Sequence, residues 1–91
     1  MKKCLKITVG DNVPEGFLRL FVQKHARMLD LEGTAQLFDG KARIIVFGSV
    51  DQVDEFLDVL HKGMTTYRPE DIEVEPFRKD KDYRGVFRVI E

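Results

Sequence analysis

Hydrophobic and polar positions along the chain switch between period two and a helical period. Leu5, Ile7 and Val9 alternate with Lys6 and Thr8, which predicts a strand with one buried face. Gly10-Asp11-Asn12 breaks that strand, and Pro14-Glu15-Gly16 extends the loop. Leu18, Val22, His25 and Leu29 then fall on one helical stripe, flanked by Phe21, Ala26 and Met28. Gly33 fits a helix stop. Residues 34–48 read as a hairpin turning at Asp39-Gly40, with Ile44-Ile45-Val46-Phe47 as a buried second strand closed by Gly48. Ser49 and Gln52 have the spacing of a capping box. Val53, Phe56, Leu57 and Leu60 make a second helical stripe, ended by Gly63. A polar stretch with Pro69 leads to a fourth strand at Ile72 and Val74. Arg78-Lys79-Asp80-Lys81-Asp82 reads as a charged turn, and Val86 to Ile90 as a last strand.

The order β-α-β-β-α-β-β predicts an α+β chain with the ferredoxin-like α/β sandwich. Its antiparallel sheet is expected to have four to five strands, with two helices on one face. The 91 residues, without repeats or a linker, are expected to form one domain.

Composition narrows the possible functions. Fifteen Lys+Arg against sixteen Asp+Glu leave a net charge of −1, with 43% hydrophobic and 34% charged residues. That balance argues against disorder. It also lacks the electrostatic footprint of a general nucleic-acid binder or a basic membrane-surface protein. No apolar run reaches the roughly 18–20 residues of a membrane span, and the start of the chain lacks the apolar region of a secretory signal. One cysteine, Cys4, rules out an internal disulfide framework or a multi-cysteine zinc site, and points to a reducing, cytoplasmic setting. Two unclustered histidines, His25 and His61, do not make a metal site. Lys2, Lys3, Lys6, Lys24 and Arg27 read as a solvated basic face. Arg84-Gly85-Val86-Phe87-Arg88-Val89 is a faint match to the basic-Gly-aromatic strand of RNA-recognition modules, but lacks the paired aromatics that stack bases.

Several residues together resemble the acylphosphatase family. Leu18-Arg19-Leu20-Phe21-Val22 stands where that family has Phe-Arg-x-Phe-Val, with Val13 six positions before Arg19. Ala26 and Leu29 fall at the family's helix spacing, and Gly33 takes the place of the Gly that precedes Trp. Gly40 and Gly48 keep the hairpin spacing. Val53, Phe56, Leu60 and Gly63 follow Gly48 in the family's register without a gap. Phe87 and Val89 look like its closing Phe-x-Ile. The segment from Met64 to Lys81 matches only loosely.

The resemblance implies hydrolysis of acyl phosphates, which are mixed carboxylic–phosphoric anhydrides, without metal or cofactor. Its ligands would be a small acyl phosphate or inorganic phosphate. It implies that Arg19 and the amides of Pro14, Glu15, Gly16, Phe17 and Leu18 occupy the phosphate loop. Arginine suits that role, since its planar fork meets two phosphate oxygens and stays charged. The loop departs from the family in having Glu15 and Phe17 where glycines are usual, and Pro14 has no N–H to offer. The family's asparagine, which orients the attacking water, is also missing. Counted from Gly33, its place falls on Leu37; counted back from Gly40, on Gln36. Leucine cannot hydrogen-bond a water, whereas glutamine could stand in with a longer arm. Weak or lost activity is therefore expected. The alternative is a non-catalytic module that senses an anion or binds a protein partner.

Overall fold

The computed structural model describes residues 1–10, 13, 16–63, 71–78 and 82–90. Alternation of apolar side chains produces β1 (Lys2–Val9), where Leu5, Ile7 and Val9 are buried on one face. A helical segment follows in two parts, a π-helical turn (Leu18–Gln23) and α1 (Lys24–Met28). Then come β2 (Glu32–Phe38), β3 (Lys41–Ser49), α2 (Val50–Gly63), β4 (Ile72–Pro76) and β5 (Phe87–Ile90). The order of elements matches the sequence expectation.

The five strands form one sheet in the order β4-β1-β3-β2-β5. β1 is antiparallel to β3 and β4, and β2 is antiparallel to β3. The last pair differs from the antiparallel expectation: β5 runs parallel to β2, so the sheet is mixed. β3 lies between β1 and β2, which makes the first β-α-β unit a split one. The helical π turn packs against β2 and β5, while α2 packs against β1 and β3. Between sheet and helices lies the core of Ile7, Val9, Val22, Ile44, Val46, Phe56, Leu60 and Phe87, with Val53 and Ala26.

Local signals account for the connections. Asp39 and Gly40 both have positive φ, 52° and 77°, with Phe38 and Lys41 paired across them, which is a two-residue I′ hairpin. The Ser49 Oγ accepts from the Gln52 N–H at 3.2 Å and donates to the Gln52 Oε1 at 2.9 Å. Ser49 thus caps α2 as its spacing predicts, although Gln52 answers through the hydroxyl rather than the backbone. Ser49→Ala is expected to destabilise the fold by about 1 kcal/mol, read as a lower midpoint in urea unfolding with an unchanged slope.

The first helix departs from expectation in two ways. A π turn carries more residues per turn than an α-helix. The buried stripe accordingly runs Leu18, Val22, Ala26 in steps of four, leaving His25 and Leu29 only half-buried and Met28 exposed. The helix also stops earlier than Gly33. Asp30 takes the left-handed conformation at φ 55°, and the Leu31 N–H reaches back to the Ala26 carbonyl at 2.9 Å, a Schellman-type end. Gly33 lies inside β2, for a reason set by its neighbours across the sheet.

Both histidines and two lysines of the basic face have structural partners. His25 Nδ1 pairs with the Phe21 carbonyl at 2.8 Å, and His61 Nδ1 with the Leu57 carbonyl at 2.7 Å. In the expected basic face, Lys3 is held by Asp54 at 2.8 Å and Lys6 by Glu75 at 3.1 Å. Cys4 sits half-buried on β1, in the opposite parity to Leu5.

Candidate functional site

The site starts where β1 leaves the sheet. Val9 pairs with Ala42, and Ala42 pairs with Leu37, so the end of β1 lies beside the β2–β3 hairpin. The Val13 N–H donates to the Gly40 carbonyl at 3.4 Å, which brings the loop after β1 against that turn. Gly16 then takes φ 82°, a conformation open to glycine without strain. The Leu20 N–H donates to the Gly16 carbonyl at 2.7 Å. This is the first intrahelical bond, so the amides of Phe17 and Leu18 precede it, at the positive end of the helix.

Of the phosphate-loop candidates, Gly16 and Phe17 are half-buried, Leu18 is buried in the core, and Arg19 is exposed. Phe17 stacks on Phe21, with ring centroids 5.3 Å apart and planes 10° from parallel. Phe21 in turn covers Gly63, where a Cβ would overlap its ring. The side chain after Gly16 is therefore an anchor for the helix start, although glycine is usual there in the family. Leu20 next to Arg19 is 77% exposed. Pro14 and Glu15 lie outside the described residues.

Strand parity separates the two candidates for the water-orienting position. Gly33 and Ala35 face the core, and Leu37 shares their parity on the helix side of the sheet. Gln36 has the opposite parity. Its cross-strand neighbours are Arg43 on β3 and Ile90 on β5, both exposed. The structure thus brings Leu37 to the sheet face that carries Arg19's helix and puts Gln36 on the face away from it. Among the described residues no group of three or more His, Cys, Asp or Glu side chains is arranged to hold a metal ion.

The acylphosphatase family model matches residues 5–89. The chain belongs to the acylphosphatase family. It is 39% identical over 72 residues to the acylphosphatase of Methanococcoides burtonii, covering 78% of this chain and 75% of the relative. The acylphosphatase of Bacillus subtilis superposes over the full length of both chains with a TM-score of 0.81 at 24% identity. That of Coxiella burnetii gives 0.77 at 24% identity, covering 98% of this chain and 93% of the other. At that identity the two structures show the shared sandwich, and the family assignment rests on the sequence. Acylphosphatase membership accords with the order of the elements and with the five-stranded sheet and two helices just described.

One cluster escaped the sequence reading. Tyr83, Arg84 and Arg88 line a cleft with Thr34. They meet only because β5 pairs parallel with β2, a contact no local pattern announces.

Proposed function

We propose that this chain is a slow hydrolase of acyl phosphates, with Arg19 and the loop amides before it binding the phosphate. The family supplies the reaction class. The reading of slow turnover is carried by one observation, the helix-side parity of Leu37 in β2. An isobutyl group there offers no hydrogen bond to a water. The acyl phosphate would be held while the nucleophile lacks its orienting amide, and positioning of a nucleophile contributes several kcal/mol to a barrier.

Arg19 supports the binding half of the reading. It follows Gly16 by one helical turn and is exposed beside the first-turn amides. A guanidinium and free N–H groups at the positive end of a helix form an anion site. Inorganic phosphate, the product, would occupy the same place. The single cysteine accords with a reducing, cytoplasmic setting.

The test is hydrolysis of benzoyl phosphate by the purified protein beside Arg19→Ala. Turnover above the spontaneous rate is expected, and Arg19→Ala should lower kcat/KM by about a hundredfold or more, since charge-assisted phosphate contacts act on a developing transition-state charge. Equal rates for the two proteins would remove Arg19 from the site. No turnover by a folded wild-type protein that still binds phosphate would leave a non-catalytic anion-sensing module.

A further inference from the structure

A cleft opens on the sheet face away from the helices, at the β2–β5 edge. Its volume is about 400 Å³, and Thr34, Asp82, Tyr83, Arg84, Arg88 and Ile90 line it. Thr34 and Arg88 are cross-strand neighbours in the parallel pair, and Ile90 follows Arg88 on the same face. Leu37, the marker of the first site, lies at the other end of β2 and has the opposite parity.

The lip of this cleft is built around an arginine in an unfavourable backbone conformation. Tyr83 to Val86 form a tight turn closed by the Val86 N–H on the Tyr83 carbonyl at 3.1 Å. Arg84 and Gly85 occupy its two central positions at φ 56° and 71°, a I′ turn. Gly, Asn or Asp normally fills the first of these. The arginine is held there by two contacts. The Asp82 Oδ1 accepts the Arg84 N–H at 2.8 Å, and the Gly33 N–H donates to the Val86 carbonyl at 3.0 Å, which fastens the turn to β2. Strain of this kind persists where the surroundings over-determine it.

Two guanidinium groups and one carboxylate, that of Asp82, thus border one concavity, and the Asp82 Oδ1 is turned to the Arg84 backbone N–H, which leaves the cleft with a net positive charge. Both arginines are exposed, and neither makes an ion pair among the described residues. Elsewhere on the same sheet face, Lys6 is neutralised by Glu75. The hydroxyl of Thr34 adds a donor between strands, and Ile90 adds an apolar wall. The volume falls in the range of sites for small organic molecules rather than single ions. Paired arginines select oxygen dianions through bidentate hydrogen bonds.

We propose that this cleft binds a small organic phosphate, with Arg84 and Arg88 sharing the phosphoryl oxygens, Thr34 donating to one of them and the organic group lying on Ile90. The site stands apart from the phosphate loop and does not depend on catalysis there.

Titration of the ¹⁵N-labelled protein with phenyl phosphate, followed by amide shifts, tests this. Arg84, Gly85, Arg88 and Thr34 should shift together, with a midpoint separate from that of Gly16 to Arg19. Arg84→Ala with Arg88→Ala should weaken the first set at least tenfold and leave the second unchanged, and Arg19→Ala should do the reverse. Arg88→Gln alone, which keeps the turn intact, should weaken the first set by a smaller factor. Inorganic phosphate should bind the first set more weakly than phenyl phosphate. Shifts confined to Gly16–Arg19 would overturn the proposal, as would a first set indifferent to the arginine substitutions. Equal affinity for inorganic phosphate would overturn the organic character of the ligand.

Discussion

Leu37→Asn is expected to raise the turnover of benzoyl phosphate by about a hundredfold or more. The expectation follows from parity and size. Leu37 continues the Gly33–Ala35 face of β2 toward the helices, and it is 50% exposed, so its replacement neither opens a core cavity nor buries an amide. Its cross-strand neighbour is Ala42, whose methyl leaves room for a planar amide. Asparagine also has the same branched side-chain skeleton as leucine, a Cγ bearing two heavy atoms. The gained group would hold a water beside a phosphate bound at Arg19, and the effect should fall on kcat. KM should move little, because the phosphate contacts belong to the loop and Arg19. Gln36→Asn is the control: that side chain points away from the helix face, so neither constant should change. If Leu37→Asn left kcat unaltered while Gln36→Ala lowered it, the water would be oriented from the other face and the parity argument would fail.

How much of this was legible in the sequence depends on the range of the interaction. The Asp39-Gly40 turn and the Ser49–Gln52 cap involve residues within four positions of each other, and their chemistry is the same in any fold. The apolar stripe of α2 and the alternating strands were equally readable, since burial follows periodicity, whereas the stripe of the first helix was readable only at Leu18 and Val22. The site was readable in part. Gly16 has the positive φ of a loop glycine and Arg19 lies exposed in the first turn of the helix, but the choice between Leu37 and Gln36 could not be made by counting from glycines, because the two counts disagree by one residue. Parity puts the two on opposite faces of β2, and that requires knowing that Gly33 and Ala35 face the core. The parallel pairing of β5, and with it the cleft at Arg84 and Arg88, depends on where a long connection returns to the sheet, which no short pattern encodes. The π turn was missed for a similar reason: its residues also fit an α-helical stripe, and no pattern within Leu18–Gln23 marks the wider turn.

Gly33→Ala is expected to destabilise the protein by about 3 kcal/mol or more, enough to lower Tm by roughly 15 °C in a domain of this size. Gly33 looked like a helix stop in the sequence, and its necessity has another origin. It lies in β2 between Val46 of β3 and Phe87 of β5, at φ 145°. A Cβ built there would overlap the backbone carbonyl oxygen of Ile45. A backbone atom in the middle of a sheet cannot rotate away as a side chain would, so relief requires moving β2 off β3. The same shift would loosen the Gly33 N–H bond to the Val86 carbonyl and disturb the parallel pairing of β5. Gly40→Ala separates the two contributions. Gly40 also has positive φ, 77°, yet nothing lies within 4 Å of a Cβ there. That substitution should cost only the backbone preference, about 1–2 kcal/mol. Urea unfolding of both variants gives the comparison. A loss at Gly33 no larger than at Gly40 would mean that the sheet absorbs the methyl, and that the close approach of β2 to β3 does not fix the residue.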